Sequence, residues 1–179
     1  MTKAVNMRKL KVIFLDIDGV MESTSSMIRT GGYGGFLHEE HVDALNWILE
    51  QCPNTYIVLT STYRIMAPIK EIKIAFMESG VRSGRIISKT PNLGTNRGRE
   101  IKQWLDTRKE KGQYEIESYV VIDDGRDMAG IDWKMFINTN PDYGLTYVEA
   151  EMAINLLQGK PRISKVDPII FTRKLNPIG

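Results

Sequence analysis

Leu10–Val20 reads LKVIFLDIDGV, and it decides the fold. Leu10–Leu15 is a short, nearly continuous apolar run that stops abruptly at charged residues, the pattern of a buried strand. Two carboxylates, Asp16 and Asp18, follow at once with one apolar residue between them. On a continuing strand residues two apart point the same way. Two like charges held together in a cleft need a shared proton or a cation. A hard divalent cation such as Mg²⁺, which takes oxygen ligands, is the simple solution. Gly19 permits a sharp turn directly after the acids.

Further along the chain, apolar runs alternate with amphipathic stretches. Tyr56–Leu59, Arg85–Ser88, Tyr119–Ile122 and Lys134–Ile137 read as further strands. Glu39–Glu50, Ile69–Met77 and Arg99–Lys109 carry apolar residues at helical spacing, and Thr146 with Glu149 forms a capping box that opens a helix to about Leu157. Strands that alternate with helices predict an α/β fold, a central parallel sheet of about five strands with helices on both faces. In such a sheet ligands bind beyond the carboxyl ends of the strands. The residues just past each apolar run therefore carry the chemistry. They are Asp16 and Asp18 after the first strand, Thr60 and Ser61 after the second, and Asp123 and Asp124 after the fourth. Arg97 and Arg99 head the helix before that last strand, where a cation can reach an anionic substrate.

The chain has 179 residues with 24 basic and 22 acidic side chains, a net charge of +2. That balance excludes a strongly polycationic nucleic-acid coat and an acidic disordered tail. It is uneven. From Lys160 to Gly179 five basic residues face the single acid Asp167, which leaves +4 there and −2 on residues 1–159. The expected organisation is one domain over 1–159 and a basic extension over 160–179. No apolar run approaches the ~18 residues of a membrane helix, and no signal peptide is evident, so no membrane partner is expected. The lone Cys52 excludes an intrachain disulfide and fits a reducing, cytoplasmic setting.

The order FLDIDGV, then IVLTS, then a basic helix start, then VVIDD resembles the haloacid dehalogenase (HAD) superfamily of phosphotransferases, from about Leu10 to Leu157. A narrower likeness is to the HAD domains of RNA-repair and phage nucleic-acid-end-processing proteins. It rests on TSTYR at 60–64, RGREI at 97–101, IDD with a following Asp127-Met128, and YGLT at 143–146; Tyr63 replaces a tryptophan. The resemblance implies a Rossmann-like HAD fold and Mg²⁺-dependent phosphoryl transfer. By it Asp16 is the nucleophile that forms an aspartyl-phosphate, and Asp18 the general acid/base. The metal falls to Asp16, the Asp18 region (usually its backbone carbonyl) and Asp124, with Asp123 in support. Thr60 and Ser61 bind phosphate. The third-motif cation is best matched by Arg97, with Arg99 and Lys89 as competitors; Arg64 and Arg99 are supporting residues.

The spacing between motifs leaves no room for a cap domain, only a flap-like segment, Met21–Leu37, after the first strand. A capless site is open to macromolecular substrates. The expected substrate is thus a phosphomonoester, a nucleotide or a nucleic-acid terminal (3′) phosphate. The alternatives are a small metabolite, a phosphoprotein, or a non-catalytic binding or assembly module on the same scaffold. The sequence does not specify an oligomeric state. His38 and His41 lie one helical turn apart without an evident third ligand, and are expected to be exposed or capping.

Overall fold

The computed structural model describes residues 9–32, 37–82, 84–111 and 115–161. All but the first two residues of the basic extension expected over 160–179, and the centre of the flap around Tyr33, lie outside them.

The chain runs β1 (Lys9–Leu15), α1 (Thr24–Thr30), α2 (Glu39–Gln51), β2 (Thr55–Leu59), α3 (Tyr63–Met66), α4 (Ile69–Glu78), β3 (Ile86–Lys89), α5 (Arg97–Lys111), β4 (Glu115–Asp123), β5 (Phe136–Asn138) and α6 (Tyr147–Leu157). A single 3₁₀ turn, Trp133–Met135, leads into β5. The five strands form one parallel sheet in the order β3-β2-β1-β4-β5. This is the expected α/β architecture, with β1 at its centre.

Period-two alternation in the strands builds two cores. Ile13 and Leu15, with Ile57, Leu59, Val120 and Ile122, face one side and pack on Leu45 and Ile48 of α2, Phe76 of α4 and Ile154 of α6. Val12 and Phe14, with Val58 and Val121, face the other side and pack on Ile101 and Trp104 of α5. The Phe14 and Trp104 rings meet edge to face, 5.4 Å apart, a favoured aromatic geometry. Helices therefore cover both faces. Among the described residues, the connections between motifs hold only α1 to α4 and β3, so no cap domain interrupts them.

Two elements were not expected. α1 is a short helix started by Ser23, whose hydroxyl accepts from the Ser26 backbone in a capping box. α3 is a single turn. Both lack the long apolar period that marks a core helix. β4 also begins earlier than its apolar part, because Glu115–Ser118 alternates exposed and half-buried residues.

Parity places the chemistry. β1 changes neighbour direction at the sheet centre: β2 and β3 lie to one side, β4 and β5 to the other. This is a topological switch point, where a crevice opens at the carboxyl edge. The ladder continues past the strand ends, since Asp16 N–H donates to Ile122 O at 3.1 Å and Thr60 N–H to Leu15 O at 2.9 Å. Asp16, Thr60 and Asp123 thus share the parity of Phe14, Val58 and Val121, on the α5 side.

Candidate active site

Arg97 is the first residue of α5 and reaches this edge. One guanidinium nitrogen, Nη1, donates to both Asp16 Oδ2 and Asp123 Oδ2. The other oxygens are fixed by backbone: Ile17 N–H donates to Asp16 Oδ1 and Gly125 N–H to Asp123 Oδ1, each at 2.8 Å. Asn138 at the end of β5 donates from its amide to the carbonyls of Asp123 (3.1 Å) and Asp124 (2.7 Å) and so holds the acid pair in place.

Two glycines make these approaches possible. A Cβ on Gly98 would lie 2.5 Å from the Met128 carbonyl carbon and the Ala129 carbonyl oxygen, so only glycine lets the start of α5 pack this closely on the loop after β4. Gly98 N–H donates to Asp127 O at 3.1 Å across that contact. At Gly19 the backbone is left-handed, and a Cβ would lie 2.6 Å from the Asp124 carboxylate.

Oxygens of Asp16, Asp123 and Asp124 come within 4.8 Å of one another. Three carboxylates with no nitrogen or sulfur donor suit a hard cation such as Mg²⁺. The room that Gly19 leaves beside Asp124 belongs to the same fit. The Asp18 carboxylate is not one of this trio. It is exposed. Even so, partial desolvation, then the charges of Asp16 and Asp124, raise its pKa above the ordinary aspartate range, against the opposing charge of Arg97. Burial pushes the Asp123 carboxyl up to about 7, with Asp16 adding to the rise and Arg97 opposing it. Burial alone would lower the pKa of the Arg97 guanidinium, but Asp123 and Asp16 together raise it.

The structure separates the three candidate cations. Arg97 touches the acids. Lys89 donates instead to the backbone carbonyls of Arg64 (2.5 Å) and Ala67 (3.1 Å). Arg99 is exposed beside Lys102 and Asp106, on a different face of α5.

Thr60 and Ser61 are fully buried at the end of β2. The Ser61 hydroxyl accepts from Tyr63 N–H at 3.3 Å. Among the described residues the Thr60 hydroxyl has no hydrogen-bond partner. An orphaned buried hydroxyl next to β1 can take a polar ligand or a water.

Arg64 is only 5% exposed. It donates to the carbonyls of Thr60 and, at 2.9 Å, Ser61, and pairs with Glu100 at 2.5 Å. Glu100 also accepts from Leu93 N–H at 2.9 Å. One buried ion pair therefore joins the end of β2, the loop before α5 and α5 itself. The sequence reading missed Glu100. The signal was present: Glu100 falls on the apolar stripe of α5 beside Ile101 and Trp104, and a buried acid there requires a partner.

The expectation for the histidines is corrected. His38 and His41 are buried, at 6% and 1% exposure, and the His38 side chain makes no cap hydrogen bond. His41 bonds through Nδ1 to Leu145 O (2.9 Å) and through Nε2 to Ser23 Oγ (3.0 Å), which ties α2 to α1 and to the loop before α6. Gly144 in the YGLT stretch is explained by this contact, since its Cβ would lie 2.7 Å from the His41 ring and from Val20 O. No helix among the described residues is long and apolar enough to cross a membrane.

No curated protein matches the chain. Among solved structures, the HAD domain of the effector protein Lem4 from Legionella pneumophila is similar, at 17% identity and a TM-score of 0.47 over 75% of this chain and 88% of that one. Residues 12–150 match the model of a family described as the HAD domain in Swiss Army Knife RNA repair proteins. The chain belongs to that family of HAD domains.

Proposed function

We propose that the chain is a Mg²⁺-dependent phosphomonoester hydrolase that acts on nucleotide or nucleic-acid terminal phosphates, with the 3′-phosphate end as the leading substrate. The observation that carries this reading is the meeting of Asp16, Asp123, Asp124 and Arg97 at the sheet's switch point, with Asp18 two residues from the nucleophile.

Asp16 is held by Ile17 N–H and Arg97 with its carboxylate at the crevice, and it attacks phosphorus to form an aspartyl-phosphate. Such covalent catalysis divides one difficult displacement into two easier ones. Asp18, with its raised pKa, carries a proton at a higher pH than an ordinary aspartate and gives it to the leaving oxygen. It then takes a proton from the water that cleaves the acyl-phosphate. The Arg97 guanidinium faces the charge that develops on the transferred group, and Thr60 and Ser61 bind its oxygens. Asp16, Asp124 and the Asp18 carbonyl would hold Mg²⁺, with Asp123 kept in place by Arg97, Gly125 and Asn138. When bound, the ion neutralises acid-pair repulsion and polarises the phosphoryl oxygen.

The test is hydrolysis of a 3′-phosphorylated oligonucleotide by the purified chain. Phosphate release is expected with Mg²⁺, is lost on chelation and returns when Mg²⁺ is restored. Release that is indifferent to chelation sinks the metal-dependent reading.

A further inference from the structure

The carboxylates make up only part of the lining of a cleft of about 320 Å³. Its volume sits at the small end of the ~300–1,000 Å³ usual for small-ligand sites. The same cleft is also lined by Thr62 and Ile65, by Asn92, Gly94 and Thr95 on the loop before α5, and by Met128 after β4. Nothing in the mechanism above uses these residues.

Their chemistry is distinctive. Thr62, Asn92 and Thr95 offer neutral hydrogen-bonding groups. Ile65 is 54% exposed and offers an apolar face in the cleft lining, whereas Met128 is 6% exposed and belongs to the core on the α5 side. The anion Asp127 also lines the cleft. Of the two arginines in the lining, Arg64 is buried and paired with Glu100, and Arg97 holds Asp16 and Asp123 and keeps its remaining donors for the transferred phosphate. A second phosphate or another anionic group would find no free cation among these residues. A neutral leaving group with polar edges and an apolar face would find all its partners.

We propose that these lining residues form a leaving-group subsite for one nucleoside, the terminal sugar and base that carry the scissile phosphate, with Ile65 and Asn92 as specificity-determining residues. This rests on the phosphomonoesterase reading and adds to it the part of the substrate that is recognised. The cleft is open, so the rest of an oligonucleotide runs out to solvent and contributes little. The buried Arg64–Glu100 pair, with the Glu100 contact to Leu93 N–H, holds the Asn92–Thr95 loop at the correct distance from the acids.

The experiment compares kcat/KM of the full chain in Mg²⁺ for a nucleoside 3′-phosphate, ribose phosphate, a phosphoserine peptide and p-nitrophenyl phosphate. The nucleotide should exceed ribose phosphate and the peptide by at least about tenfold. Ile65→Ala and Asn92→Ala should each lower the ratio of nucleotide to p-nitrophenyl phosphate by about tenfold. That ratio is insensitive to partial misfolding, which lowers both rates alike. Ratios that do not move in either variant overturn the subsite while the hydrolase reading stands. A preference for ribose phosphate or the peptide overturns the nucleoside assignment alone. Failure to hydrolyse any of the four overturns the hydrolase reading, and the subsite with it.

Discussion

Arg64 and Arg97 are 33 positions apart in sequence and both line the same cleft, yet they are built for different tasks. Arg64 is buried, with its guanidinium spent on Glu100 and two backbone carbonyls at the end of β2. Arg97 keeps 21% of its side chain exposed and spends one nitrogen on Asp16 and Asp123 at the open crevice. The first joins structural elements; the second holds the acids at the open crevice. A cation near a cleft is therefore assigned by what its remaining donors can reach, and proximity to the acids is not enough.

The contrast can be broken by mutation. The largest effect on turnover should come from Arg97→Ala, a loss of about 10²–10³-fold in kcat in Mg²⁺, with a melting temperature near that of the wild type. Arg97→Lys keeps a point charge but not the planar fork, and should retain more activity than the alanine variant. If Arg97→Ala instead unfolds the chain at full Mg²⁺, the division of labour is wrong.

Arg64→Met should show the opposite profile. Removing one partner leaves Glu100 buried and uncompensated, at a cost of about 3–5 kcal/mol by denaturant unfolding. The double change Arg64→Met with Glu100→Met removes both charges and should recover much of that loss. No recovery in the double variant would mean that the carbonyl contacts, and not the ion pair, hold the three elements together.

A third buried basic group gives the smallest effect. Burial lowers the pKa of His41 below its ordinary value, although its bond to Leu145 O and the charge of Glu40 oppose this. The folded protein thus binds a proton less readily than the unfolded chain, and stability is fully present above about pH 6.5. It should fall as pH drops from there toward the lower folded value. His41→Gln should flatten that part of the pH–stability curve; an unchanged slope would assign the acid sensitivity elsewhere.

The sequence made some of this legible and left the rest hidden for physical reasons. The strands were readable because buried apolar runs end sharply at Asp16, Thr60 and Asp123, and the sheet order then brings those ends together. The rank of Arg97 over Arg99 was not fixed, because two residues at a helix start differ by about 200° around the axis and the start itself was read two residues late. Gly98 held the answer: only the contact it allows with the loop after β4 aims Arg97 at the acids. Glu100 on the apolar stripe of α5 marks a buried acid, but its partner Arg64 lies 36 positions away and nothing local names it. The histidines were misjudged because burial of a polar ring depends on partners such as Leu145 O, 104 residues away.

The central claim is that Asp16 becomes covalently phosphorylated. The direct measurement is a brief incubation of the chain with Mg²⁺ and a 3′-phosphorylated substrate, an acid quench, and mass-spectrometric mapping of the phosphorylated peptide. The account predicts phosphate on the peptide that contains Asp16, and neither label nor turnover in Asp16→Asn. Turnover retained in Asp16→Asn, or phosphate found on another residue of the wild type, would contradict it.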